Sequence, residues 1–152
     1  MTLIEAIILG VVQGLTEFLP ISSSGHLVLA QYLLEIDENG NEFEILVHIG
    51  TLASILVVFS KDLKLLFSDL KTKKNQLYIF HLFLASLPAA IAGIWFKDYF
   101  ELFFDDYSIV SKALLFTGLI LISSYFFKSG NKKHNIISSI LIGFFQALAI
   151  TP

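Results

Sequence analysis

Three apolar stretches, each long enough to cross a bilayer, restrict this chain to a helical membrane bundle. They are EFEILVHIGTLASILVVFS at 42–60, QLYIFHLFLASLPAAIAGIWF at 76–96 and SIVSKALLFTGLILISSYFF at 108–127. A helix rising about 1.5 Å per residue needs about 20 such residues to cross a hydrocarbon core. Lipid offers no partner to a bare backbone, so a spanning segment has to satisfy its own N–H and C=O groups. A soluble domain is excluded by 55% hydrophobic residues and fifteen Phe, with a mean hydropathy of +0.76. Pro88 predicts a kink in the second span. Without Cys there is neither a disulfide nor a thiolate metal site. Glu5 stands where a basic leader region belongs, so no cleavable signal peptide is expected.

The lysines orient the spans. Lys61, Lys64, Lys71, Lys73 and Lys74 lie between the first two, and Lys128, Lys132 and Lys133 follow the third. The opposite loops are acidic, with Glu35, Asp37, Glu38 and Glu42 on one, and Asp98, Glu101, Asp105 and Asp106 on the other. The positive-inside rule makes the Lys-rich loops cytoplasmic, and the three spans alternate consistently. Residue 35 is then outside, yet 3–19 and 21–34 are each too short and too polar to span. The expectation is a re-entrant helical hairpin over 3–34, entering from outside and returning there, broken at Pro20. The competing reading, one long tilted span over 3–34, is opposed by Pro20 and Gly25.

A faint internal repeat follows. Gly10, Gln13 and Leu15 match Gly143, Gln146 and Leu148, and each run reaches a proline, Pro20 or Pro152. The first copy starts outside and the second starts after a cytoplasmic loop, so the repeats are expected to be inverted. Inverted repeats with broken helices place their site near the midplane. Residues 1–135 form the first repeat in this reading, and 136–152 the first arm of the second, without a partner for its backbone. The chain therefore reads as the N-terminal part of a longer protein.

Polar residues at membrane depth are costly and mark function. Here Gln13, Glu17, Ser22, Ser23, Ser24 and His26 crowd into fourteen positions. Gln13 and Glu17, four apart, share a helix face. Their oxygens suit a hard divalent cation, Mg²⁺ or Ca²⁺, that keeps waters and bridges to phosphate; the plainer alternative is a buried hydrogen-bonded pair. The serines after Pro20 read as a helix start, where free N–H groups and the positive dipole end receive an anion. Ser22 or Ser23 is a candidate nucleophile with His26 within a turn; the alternative is that the serines only cap and His26 bonds a carbonyl. His48 and His81, inside spans, read as interhelical hydrogen bonds rather than ligands. Lys112 is placed to snorkel, and Glu5 and His134 read as surface residues.

The run QGLTEFLPISSSGHL resembles the first signature of the undecaprenyl-diphosphate phosphatase (bacitracin-resistance) family of bacterial inner membranes. The resemblance continues through Phe43-Glu-Ile-Leu-Val-His-Ile-Gly-Thr51. It implies hydrolysis of undecaprenyl diphosphate to the monophosphate, recycling the lipid carrier for the cell wall, with a divalent cation and a site open to the periplasm. By carry-over, Gln13 and Glu17 serve the metal or the attacking group, and Ser23 is nucleophile or phosphate ligand. Ser22, Ser24 and Gly25 complete the phosphate seat, and His26 is the acid/base. A homodimer is plausible, and no nucleic-acid partner is expected. The family's second signature continues past its proline as Gly-x-Ser-Arg-Ser, and all ten basic residues here are Lys, which lacks the bidentate fork of Arg. This chain alone is therefore expected to be inactive or crippled. The alternatives are a lipid-carrier or anion transporter of inverted-repeat type, or an inactive truncated paralogue.

Overall fold

The structure, a computed structural model, describes residues 1–36, 42–127 and 135–151. Asp37, Glu38, Lys128, Lys132, Lys133, His134 and Pro152 lie outside the described residues. Among the described residues, all regular structure is helical: α1 (Leu3–Thr16), α2 (Ser23–Leu33), α3 (Glu42–Val58), α4 (Ser60–Ser68), α5 (Lys73–Trp95), α6 (Lys97–Asp105), α7 (Tyr107–Ser124) and α8 (Ile136–Leu148). The chain is a polytopic membrane protein.

Two of the expected spans appear with small shifts. α5 runs 23 residues and α7 runs 18, both long and apolar enough to cross. Pro88 sits inside α5 without ending it. The expected span at 42–60 differs. α3 stops at Val58, and its 17 residues cover about 25 Å, so a third span requires counting the bent pair α3–α4 as one. Lys61, Asp62 and Lys64 follow the break at Phe59. They turn an exposed polar face outward in α4, while Leu63 and Leu66 are half-buried.

The first 34 residues are two helices. α1 starts on a capping box, in which Thr2 Oγ1 accepts from the Glu5 amide at 3.3 Å and Glu5 Oε2 accepts from the Thr2 amide at 2.7 Å. Glu5 is thus a cap rather than a free surface charge. α1 ends at Thr16, a turn occupies 17–22, and α2 starts at Ser23 and packs against α1. A single long span over 3–34 is therefore ruled out.

The chain divides into two units. In the first, formed by α1, α2, α3 and α7, helix α2 packs against both α1 and α7. Leu9, Leu27, Val28 and Val110 are buried on those three helices. The Tyr32 and Tyr107 rings, 4.5 Å apart between centroids, join the end of α2 to the start of α7, so the two helices run antiparallel. In the second unit α5 packs on α8. A methyl group added at Gly143 would lie 2.4 Å from the Ala85 carbonyl oxygen and 2.8 Å from Pro88 Cδ, so only glycine permits this approach.

Large apolar side chains point outward almost everywhere: Ile94 is 76% exposed and Trp95 77%. No residue of α5 is buried. Such a surface suits lipid, where packing of small residues, not water exclusion, joins helices.

Candidate active site

The site forms where α1 hands over to α2. Glu17 caps the end of α1, and its Oε2 accepts two hydrogen bonds. One comes from Gln13 Nε2, one turn earlier, at 2.9 Å; the other comes from the Ser23 hydroxyl, six residues later. The helix period makes the first contact and the tight turn around Pro20 makes the second.

The turn is specialised at Ser22, which adopts φ 61° and ψ 93°, a backbone region that costs a non-glycine residue about 1–3 kcal/mol. The strain returns a capped helix start. Ser22 Oγ accepts from the Gly25 amide at 3.3 Å. The Ser22 carbonyl accepts from the His26 amide at 3.2 Å and from His26 Nδ1 at 2.8 Å. The N–H groups of Ser23 and Ser24 have no acceptor among the described residues. They belong to the positive end of α2. Gly25 is buried where a methyl group would come within 3.1 Å of Leu114 Cδ2 on α7, which holds the start of α2 against α7.

Gln13, Glu17 and Ser23 are therefore joined, with Ser22, Ser24 and Gly25 forming the turn beneath them. His26 is not bonded to Ser23. Its Nδ1 proton is committed to the Ser22 carbonyl, and its ring lines a groove of about 500 Å³. Ile21 and Leu29 share that groove with Ser111, Leu114 and Thr117 of α7.

The sequence reading missed His48. Rather than bonding across helices, its Nδ1 bonds the Glu44 carbonyl of its own helix at 2.7 Å, and His81 does the same with Leu77 at 2.7 Å. The other nitrogen of His48, Nε2, stands 3.9 Å from Glu17 Oε2. Spacing along the chain carried no sign of this, because the approach of α3 is tertiary.

The divalent cation implied by the resemblance can be tested against these side chains. Gln13 is fully buried, and its Oε1 is an acceptor with no partner. The neighbouring Glu17 supplies a carboxylate. Among the described residues no three His, Cys, Asp or Glu side chains gather as a closed metal cage. One carboxylate and one amide oxygen fit an ion that keeps waters and completes its shell with phosphate oxygens.

Comparison with known proteins places this arrangement. The undecaprenyl-diphosphatase of Alkaliphilus metalliredigens is 41% identical, over 100% of this chain and 62% of its own length. That of Carboxydothermus hydrogenoformans is 41% identical, over 97% of this chain and 56% of its own. Undecaprenyl-diphosphatase 4 of Bacillus thuringiensis is 39% identical, over 100% and 58%. The chain thus spans about three-fifths of the length of these curated relatives. No solved structure matches it. The family model described as bacitracin resistance protein BacA matches residues 6–152, through both arms of the α1–α2 hairpin and the whole site, and the chain belongs to that family.

Proposed function

We propose that the α1–α2 turn is the catalytic seat of an undecaprenyl-diphosphate phosphatase, releasing inorganic phosphate and returning undecaprenyl phosphate for cell-wall synthesis. The observation that carries this reading is the Ser23 hydroxyl donating to Glu17, beside two unused N–H groups at the start of α2. Glu17 takes the Ser23 proton as the oxygen attacks the terminal phosphorus. The bond to the bridging oxygen breaks and the lipid monophosphate leaves; water then cleaves the phosphoserine. The Ser23 and Ser24 amides hold the phosphate oxygens. His26 keeps Nδ1 on the Ser22 carbonyl and offers Nε2 as the acid/base.

Gln13 and Glu17 would hold the divalent cation, Mg²⁺ or Ca²⁺, and such an ion supplies charge neutralisation on the diphosphate. The lipid tail of the substrate fits the exposed apolar helix faces. The setting proposed is the bacterial inner membrane, with the site facing the periplasm, and a homodimer is proposed as the assembly. Light scattering of the purified protein measures the latter.

The decisive experiment measures phosphate release from a prenyl diphosphate in detergent or nanodiscs. Ser23→Ala and Glu17→Gln are each expected to lower the rate at least ~10²-fold, the lower end of what a positioned base contributes. Mass spectrometry of quenched enzyme should find phosphate on Ser23. If this chain alone turns over nothing, the same substitutions at the matching positions of the Alkaliphilus relative decide. Full activity in Ser23→Ala rejects the nucleophile, and full activity in Glu17→Gln rejects the base.

A further inference from the structure

Three acceptor groups of this site could share one cation, and two of them lack a hydrogen-bond donor. The first is Gln13 Oε1, fully buried and without a partner. The second is the Glu17 carboxylate, whose Oε2 already accepts from Gln13 Nε2 and Ser23 Oγ. The third is His48. A carbonyl oxygen only accepts, so the 2.7 Å contact with the Glu44 carbonyl places the ring proton on Nδ1. In the neutral ring Nε2 then carries a bare lone pair, and it lies 3.9 Å from Glu17 Oε2.

We propose that His48 Nε2 is a ligand of the divalent cation, completing with Gln13 Oε1 and the Glu17 carboxylate a mixed nitrogen–oxygen site. The inference rests on the cation reading above and adds a ligand from α3 to the two on α1. A single dication beside the Glu17 carboxylate gives a partner to the two acceptors that lack a donor, Gln13 Oε1 and His48 Nε2. A histidine whose other nitrogen donates to a backbone carbonyl is held in the tautomer and orientation that metal-ligating histidines use. The His48 side chain is 40% exposed and that of Glu17 26%, which leaves the rest of the coordination shell open to water or phosphate oxygens. An imidazole nitrogen shifts preference from Mg²⁺ and Ca²⁺, which want oxygen alone, toward first-row transition ions. The other way to quiet the gap is a protonated His48 ion-paired with Glu17, and that is the outcome that overturns the proposal.

The test uses Mn²⁺ as the probe and pulsed electron paramagnetic resonance as the readout on the intact chain in nanodiscs. Bound Mn²⁺ is expected to show modulation from a coordinated imidazole nitrogen, and labelling the histidines with ¹⁵N should change its frequency. His48→Gln should retain Mn²⁺ through its amide oxygen and lose the modulation. Glu17→Gln should weaken Mn²⁺ binding at least tenfold. If the wild-type protein binds Mn²⁺ with Glu17 dependence but no nitrogen modulation, His48 is not a ligand while the cation reading survives. If the modulation persists in His48→Gln, another histidine supplies it and the proposal fails. Mn²⁺ binding indifferent to Glu17, or absent, overturns both readings. Absence of nitrogen modulation in the wild-type spectrum refutes the proposal without any variant, so a misfolded variant leaves it exposed to refutation.

Discussion

Gln13 spends its amide nitrogen on Glu17 and leaves its oxygen stranded in a fully buried position. A buried acceptor without a donor costs about 1–3 kcal/mol, so folding alone does not account for glutamine here. Gln13→Met, similar in length and free of the stranded oxygen, is expected to change thermal stability by less than about 1 kcal/mol or to raise it. It should weaken the response of that stability to added divalent cation, which differential scanning fluorimetry with and without the ion measures. A loss of stability with the cation response unchanged would show a merely structural amide. At this scale local relations were legible. Gln13 and Glu17 meet because they are four apart on a helix, and Ser23 arrives because one tight turn separates it from Glu17. His48 was not legible, since nothing in residues 43–51 states which helix they will face. His26 was half legible: its neighbourhood followed from spacing, but the cap geometry turned its ring to the Ser22 carbonyl and the α7 groove.

Among the elements, α2 depends most on its first residues. Its cap residue holds a positive φ and also supplies the capping oxygen. Ser22→Ala keeps the Cβ strain and loses the cap, so it should destabilise by about 1 kcal/mol. Ser22→Gly loses the same cap but removes the strain, and is expected near neutral. Thermal midpoints of the pair, measured side by side, test that order; an alanine variant as stable as glycine would contradict it. Hydropathy located α5 and α7 to within a few residues because long apolar runs leave little choice. It overran the end of α3, since Val57, Val58 and Phe59 continue the apolar run. That helix stops at Val58, and the charged residues Lys61, Asp62 and Lys64 that follow are exposed in α4.

At the scale of the whole molecule, the exposed apolar side chains suit a membrane protein, and the placement of charge gives an expected orientation that can be tested. Lys64 and Asp98 lie beyond opposite ends of α5 and are both exposed. The chain has no Cys, so single cysteines at these positions can be read without background. Lys64→Cys is expected to react with a membrane-impermeant maleimide only after the cytoplasmic side is opened, and Asp98→Cys in intact cells. The reverse pattern would invert the orientation taken from the lysines. The expected repeat is a pattern in the sequence; α1 and α8 each start on a capping box and carry a Gly–x–x–Gln run. Their surroundings differ: Gln13 is fully buried, whereas Gln146 is exposed. A sequence match records the shared helix and is silent on its neighbours.

The left-handed backbone at Ser22 also sets which substitutions this serine run can absorb. Threonine is the mildest replacement for serine by size and chemistry, and it is a good helix cap. A β-branched side chain at positive φ is nevertheless a genuine outlier. At this position the near-synonym should therefore be more disruptive than glycine, so a catalogue of natural variants here would be sorted by backbone angle before side-chain likeness.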